Sequence, residues 1–214
     1  EKKPFFAFIQ TSGTHRPYTI PEDKSGFELA RLDEKTLADN GFDGLAAYNG
    51  LRYLDFALGR FFEGVRREAY FRNTVFVMYG DHGNPSASPT AWEQLNLTGF
   101  HVPCVIYAPG LIREGRRIDT AASLVDLLPT SLSLMKVPYR NTTLGRDLLA
   151  PRPAAEHFAL LPIGILDDEF LLQLAADGQT RLFRYRSSAP TLDVHASQPE
   201  AAARLLELRE AFYQ

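Results

Sequence analysis

The sequence contains one cysteine, Cys104, and this scarcity excludes two kinds of site. A single thiol cannot form a disulfide within the chain, and it cannot build a cysteine-based zinc cluster. Cys104 lies in the apolar run 102–107. We therefore interpret it as a buried, unreactive thiol rather than a nucleophile.

Long hydrophobic runs and a strong net charge are also lacking. A membrane-spanning helix needs about 20 consecutive apolar residues, and the longest clean run, 75–79, has only the length of a strand. The formal net charge of −3, without a basic stripe, argues against nucleic acid as a partner. The chain begins at Glu1 without a methionine or a signal peptide, which we interpret as the start of a piece of a longer protein.

The sequence does contain an alternation of strand and helix patterns. Residues 5–10 are short, aromatic and branched, which is typical of a buried strand. Apolar residues at helical spacing predict a long amphipathic helix over 44–70, and the runs 75–79 and 102–108 predict two more strands. A strand, a helix and a strand in this order normally give parallel strands.

The later part of the chain has a different pattern. We expect a helix over 121–135, in which Pro129 makes a kink or opens the first turn. Asp177-Gly178 between two apolar runs predicts a β-hairpin, and 201–213 has the pattern of a final amphipathic helix. The acids Asp167-Asp168-Glu169 are typical of a solvated face.

The stretch 78–84, MYGDHGN, holds the first candidate site. Open α/β sheets bind ligands beyond the carboxyl ends of their strands, and Asp81 and His82 follow a predicted strand. A carboxylate and an imidazole can bind one divalent cation, and Gly80 and Gly83 would leave room for a ligand. Two ligands are too few for a complete site, so a polar turn is the competing interpretation.

The other four histidines are either site residues or structural residues. His15 follows the first predicted strand, and Arg16 beside it suits phosphate or sulfate, although a solvated loop is the alternative. His101 precedes the third predicted strand and is either a site residue or a strand-edge histidine. His157 and His195 have no converging polar partners in the sequence, so we prefer structural roles for both.

Six segments in a fixed order carry a resemblance to a known family. The segments are 5–17 (FFAFIQTSGTHRP), 48–62 (YNGLRYLDFALGRFF), 73–83 (NTVFVMYGDHG), 101–110 (HVPCVIYAPG), 125–130 (VDLLPT) and 145–148 (GRDL). With them, the chain resembles the sulfatase-like catalytic domain of the lipoteichoic acid synthase and phosphoglycerol transferase family, within the alkaline phosphatase superfamily.

The resemblance implies an α/β fold of three layers, α/β/α, around a central mixed, mostly parallel sheet, with a small antiparallel part near the C-terminus. It implies one domain over residues 1–214 that lacks its first strands. Residues 1–150 would form the main α/β part, and 151–214 the C-terminal antiparallel strands and a helix.

The resemblance also implies roles for residues. Asp81 and His82 would be ligands of one divalent metal ion, which is manganese, magnesium or zinc. His15 would be catalytic, contacting the substrate phosphate and assisting the leaving group, while Arg16 and His101 would help to bind substrate. A nucleophilic threonine and an acidic metal ligand would precede Glu1, so we expect the 214 residues alone to be inactive.

The implied activity is transfer of phosphoglycerol, or a related phospho group, from a phospholipid head group to a hydroxyl acceptor through a phosphothreonine. The parent would be anchored upstream in a bacterial cytoplasmic membrane, with its catalytic domain on the outer face. Two alternatives stay open. One is sulfate-ester hydrolysis on the same fold, although residues 104–108 do not supply a Cys-x-Pro-x-Arg motif. The other is a non-catalytic binding domain.

Overall fold

The computed structural model describes residues 3–84, 90–175 and 177–213, and the chain folds into two compact units. The first unit extends to Phe71, and the second begins at Arg72. The expectation of one domain over residues 1–214 stays a prediction.

The first unit is built on two helices, α1 (Glu34–Asp39) and α2 (Leu45–Val65). The long helix predicted over 44–70 is confirmed as α2, whose inner face packs against the buried Phe27. The ring centroid of Phe27 lies 5.2 Å from that of Tyr53 and 5.5 Å from that of Phe56. These aromatic contacts hold α2 against the preceding chain.

In the described part of the second unit there are six short strands in two sheets. In the first sheet, β1 pairs antiparallel with β2; in the second, β3 to β6 follow one another as an antiparallel meander. The turn at Asp177-Gly178 joins β5 to β6, and Gly178 has a φ of +79°, so the predicted hairpin is confirmed. The strands are β1 (Phe76–Tyr79), β2 (Cys104–Tyr107), β3 (Phe158–Leu161), β4 (Gly164–Asp167), β5 (Leu171–Leu174) and β6 (Thr180–Phe183).

Both faces of the four-stranded sheet are covered. Leu172 faces the C-terminal helix, where it packs with Leu205, whereas its neighbour Leu171 packs with Leu95 and Phe183 on the other face. Successive strand residues point to opposite faces, which explains why this strand is apolar throughout. The helices of this unit are α3 (Ala91–Gln94), α4 (Leu127–Leu134) and α5 (Pro199–Tyr213).

Two of these helices confirm sequence predictions. Pro129 lies in the first turn of α4, where the missing N–H costs nothing, and α5 covers the predicted final helix with Pro199 as its first residue.

The strand predicted over residues 5–10 is not formed among the described residues. Phe6 is 83% exposed and Ile9 69% exposed, and residues 5–10 are not part of any strand ladder. The parallel pairing expected between this segment and β1 is therefore wrong, and β1 pairs antiparallel with β2 instead. A strand needs a partner from elsewhere in the chain, and a local pattern cannot supply that information.

The prediction of a buried thiol is also wrong, because Cys104 is exposed on β2. Partial desolvation still raises the pKa of this thiol, so it stays protonated and is a poor nucleophile near neutral pH.

Candidate active site

Asp81 and His82 follow β1 directly and point into solvent, with exposed side-chain fractions of 79% and 70%. The His82 N–H donates to Asp81 Oδ1 at 2.9 Å, and the His82 ring Nδ1 lies 3.0 Å from the carbonyl oxygen of Gly83. A carbonyl can only accept, so this contact places the ring proton on Nδ1. The lone pair of Nε2 is thereby left available, 3.8 Å from Asp81 Oδ2.

Gly83 fixes this loop by a close backbone contact. Its N–H donates to the carbonyl of Gly99 at 2.9 Å. A Cβ at position 83 would lie 1.9 Å from the carbonyl oxygen of Thr98 and 3.0 Å from that of His101. The glycine is thus required by the chain's own backbone, which is a different reason from the room for a ligand that the sequence suggested.

His101 borders this loop through its backbone. Its ring makes an edge-to-face contact with Trp92, with centroids 4.9 Å apart. The Trp92 Nε1–H donates to the carbonyl of Tyr185 at 3.1 Å, which ties this segment to the four-stranded sheet. Asp81, His82 and His101 therefore lie in neighbouring segments of one unit, and His101 itself is exposed.

His15 and Arg16 lie in a turn of the first unit. The Tyr18 N–H donates to the His15 carbonyl at 2.7 Å, and His15 Nδ1 contacts the Arg16 carbonyl oxygen at 2.7 Å, which leaves its Nε2 available. Arg16 donates through Nη2 to Asp43 Oδ2 at 2.9 Å. A hydrogen bond with the Tyr18 side chain and this contact with Asp43 raise the pKa of Arg16, whose guanidinium keeps further donors for an anion.

Gly50 on α2 positions this turn, and sequence reasoning missed it. A Cβ at position 50 would lie 2.5 Å from the Gly13 carbonyl oxygen. The backbone of the turn that carries His15 therefore packs directly against α2. The only sequence signal was a glycine inside an otherwise strong helix pattern.

Three acidic residues outside the candidate site have structural partners that are distant in sequence. Asp126, fully buried, accepts from Ser123 N and from Arg146 N, each at 2.8 Å, and its bond with Ser123 caps the helical turn that begins there. His157 does have a polar partner, contrary to the interpretation of the sequence, because its Nδ1 lies 2.8 Å from Asp168 Oδ2; its structural role is unaffected. The predicted solvated face is wrong at Asp167, which is buried and pairs with Arg204, whereas Glu169 is exposed.

The Asp81 and His82 pair fits part of a metal site. Ligand bonds of about 2.0–2.2 Å allow two donors on one cation to be separated by up to about 4 Å, and Asp81 Oδ2 and His82 Nε2 meet that condition at 3.8 Å. Within residues 3–84, 90–175 and 177–213, no group of three or more histidine, cysteine or acidic residues could hold a metal ion. The pair is too small to be a complete site by itself, and the metal-ligand role of Asp81 and His82 stays a prediction.

The chain is similar in sequence to known proteins. The family model described as Sulfatase matches residues 1–137. A lipoteichoic acid synthase of Staphylococcus saprophyticus is 30% identical over an alignment of 166 residues, and the match covers 70% of this chain and 24% of that protein. Lipoteichoic acid synthase 1 of Bacillus subtilis is 30% identical over 160 residues, with the same two shares of 70% and 24%. The chain thus spans about a quarter of the length of these relatives.

A solved structure shows the fold. The crystal structure of the lipoteichoic acid synthase LtaP from Listeria monocytogenes matches with a TM-score of 0.65 at 16% identity, over 92% of this chain and 50% of that chain. The predicted α/β fold class is therefore confirmed. None of the helices in the described part of the chain combines the length and the apolar character of a membrane span. Because the family model covers more than half of the residues, the chain belongs to the sulfatase family.

Proposed function

We propose that the whole protein is a metal-dependent transferase that moves phosphoglycerol, or a related phospho group, from a membrane phospholipid to a hydroxyl acceptor. The observation that carries the proposal is the exposed Asp81 and His82 pair at the end of β1, with Nε2 of His82 free to bind a cation. The similarity to lipoteichoic acid synthases supports this substrate class over others in the family. We place the reaction at the outer face of a bacterial cytoplasmic membrane, with the parent protein anchored in it.

The residues of this chain would divide the chemistry among them. A bound divalent cation, manganese, magnesium or zinc, would stabilise negative charge on the phosphoryl oxygens and lower the pKa of an oxygen nucleophile. The Asp81 carboxylate and His82 Nε2 would hold that cation.

His15, Arg16 and His101 would act on the substrate. In its doubly protonated form, His15 would keep Nδ1–H on the Arg16 carbonyl and donate the Nε2 proton to the leaving oxygen. Such acid catalysis is typically worth about 10²–10⁴-fold in rate. Arg16 would bind the anionic oxygens through its remaining N–H groups, and His101 would contact the substrate beside the metal loop. The attack is assigned to a threonine outside the 214 residues, and the resulting phosphothreonine would be cleaved by the acceptor hydroxyl.

Sulfate-ester hydrolysis is the second candidate function. The match of the Sulfatase family model over residues 1–137 is the observation that favours it. Sulfate and phosphate esters both present tetrahedral anionic oxygens, so the same residues would serve either substrate. The two candidates differ in the nucleophile, which neither proposal assigns to this chain.

The test is an assay of the full-length protein for head-group release from phosphatidylglycerol and for hydrolysis of an aryl sulfate. We expect Asp81→Asn and His82→Gln each to lower head-group release by at least about 100-fold, since each removes a direct ligand of the cation. Both should also lower the bound metal content. His195→Gln is the matched control, because His195 bonds to the Thr180 carbonyl at 2.9 Å and has no role in the proposal.

Two outcomes would count against the transferase proposal. If His82→Gln released head groups as fast as the unsubstituted protein, His82 would not be a metal ligand. Faster turnover of the aryl sulfate than of the phospholipid would favour the second candidate instead.

A further inference from the structure

Residues 111–119, LIREGRRID, form a loop after β2 that we call the arginine loop. It presents large apolar side chains to water, since Leu111 is 51% exposed and Ile118 44% exposed. Basic side chains lie between these two apolar residues. The arginines, all of them exposed, are Arg113, Arg116 and Arg117.

Both ends of the arginine loop are fixed to the second unit. At its start, a Cβ on Gly110 would lie 2.0 Å from the Arg72 carbonyl oxygen, and the Ile112 N–H donates to the Ala108 carbonyl at 2.8 Å. At its end, both Nη groups of Arg186 donate to the Asp119 carbonyl at 3.0 Å. The exposed apolar side chains thus sit on an anchored loop.

The charge of the arginine loop is opposite in sign to that of the chain. Its arginines outnumber its acids, Glu114 and Asp119, and the exposed Arg186 at its base adds a further positive charge, whereas the whole chain carries −3. Arg117 forms an ion pair with Asp119, and the two side chains are 87% and 62% exposed. Such exposed pairs contribute little to stability, so Arg117 can exchange this partner for a phosphate.

We propose that the arginine loop docks on the surface of an anionic phospholipid bilayer. Leu111 and Ile118 would enter the boundary between head groups and acyl chains, while the guanidinium groups bind lipid phosphates. Exposed aliphatic residues on either side of arginines are suited to this interface, because the apolar side chains leave water and the charges stay at head-group level. The proposal does not rest on the proposed transferase activity, since docking is measured without turnover.

The first test is co-sedimentation of the 214-residue chain with vesicles of phosphatidylglycerol and phosphatidylcholine, compared with phosphatidylcholine alone. An arginine near an anionic surface changes partitioning by about fivefold, so Arg113→Gln with Arg116→Gln should lower binding by about 25-fold. Leu111→Ser with Ile118→Ser should lower it by at least about tenfold. The matched controls are Arg66→Gln with Arg67→Gln, and Leu192→Ser, which change exposed side chains elsewhere and should bind within about twofold of the parent.

The second test reports the depth of the loop. A Cβ at Gly115 or at Gly64 meets no atom within 4 Å, so Gly115→Cys and Gly64→Cys can each carry an environment-sensitive fluorophore in a Cys104→Ser background. We expect a blue shift on anionic vesicles for the label at position 115 and none for the label at position 64.

Three results would overturn the proposal. One is unchanged vesicle binding by the loop variants, and another is an equal loss in the Arg66 and Arg67 control, which would indicate diffuse attraction. The third is a chain that does not bind vesicles but binds polyglutamate through the arginine loop. This result would indicate that the loop binds an acidic polypeptide.

Discussion

At the scale of single residues, Asp126 is a buried carboxylate that joins two distant parts of the chain. It is fully buried, and the side chain of its partner Arg146 is only 16% exposed. Arg146 also lies over the Phe158 ring, 3.9 Å from its centroid, and donates to the Phe158 carbonyl at 2.6 Å. Removing the carboxylate charge would leave a nearly buried guanidinium without its counter-ion.

We therefore expect Asp126→Asn to lower the free energy of unfolding by about 3–5 kcal/mol in urea denaturation. Glu63→Gln is the matched control, because it breaks an ion pair with Arg60 that is 59% and 69% exposed, and it should cost less than about 1 kcal/mol. Similar costs for the two variants would contradict this account of Asp126.

A second prediction at this scale concerns Gly83 in the candidate metal loop. In Gly83→Ala the new Cβ would collide with the Thr98 carbonyl oxygen at 1.9 Å, so the loop must move. We expect the free energy of unfolding, measured by urea denaturation, to fall by about 1–3 kcal/mol. Gly115→Ala, whose Cβ has open space, should be neutral or slightly stabilising, and an equal loss there would show that the effect is not steric.

Residue roles were predictable where the partner is local. The capping role of Asp126 follows from Ser123, three residues earlier, whereas its pairing with Arg146 joins residues 20 apart. The same limit explains His157 and Asp168, which are 11 residues apart, and Asp167 and Arg204, which are 37 apart. Charge patterns along the sequence do not report contacts that the fold creates.

At the scale of elements, α2 supports the turn that carries His15. Gly50→Ala would place a Cβ 2.5 Å from the Gly13 carbonyl oxygen, whereas a Cβ at Gly59 of the same helix meets nothing within 4 Å. We expect Gly50→Ala to displace the turn and speed hydrogen exchange of the Tyr18 amide, which donates to the His15 carbonyl. Gly59→Ala should stabilise the helix by about 0.5–1 kcal/mol and leave that amide unchanged. Unchanged Tyr18 exchange in Gly50→Ala would mean that α2 does not position the turn.

Elements were predictable when their signal was local and long. Helices α2 and α5 have sustained periodicity, and the hairpin at Asp177-Gly178 has turn chemistry that fixes its geometry. The segment 5–10 has strand composition, but a ladder requires a second segment, and its exposed aromatic residues show that composition alone did not provide one.

At the scale of the whole molecule, the order of segments was more informative than any single motif. That order predicted the fold class, which the similarity to LtaP confirms at a TM-score of 0.65. It also singled out Asp81, His82 and His101, which the structure places in neighbouring segments of the second unit. His15 and Arg16 belong to the first unit, and their role at the same site stays a prediction.

The alkaline limit of stability of the whole chain should depend on Tyr185. Burial raises the pKa of this phenol above its ordinary value of 10.0, and its hydroxyl donates to the Asp167 carbonyl at 2.8 Å. Above about pH 10 the unfolded chain therefore binds fewer protons than the folded chain, so the free energy of unfolding falls as pH rises. The contribution is complete below pH 10 and is lost as pH passes through the raised pKa of the folded state.

The comparison is made in a Cys104→Ser background, since the pKa of that thiol is also raised. The protein has one tryptophan, Trp92, whose ring centroid lies 5.8 Å from that of Tyr185, so its fluorescence reports unfolding of this region. Tyr185→Phe should be less stable by about 1 kcal/mol at pH 8, because a hydrogen bond is lost. It should also lose stability less steeply between pH 10 and 11. Equal slopes with and without the phenol would show that other groups set the alkaline limit.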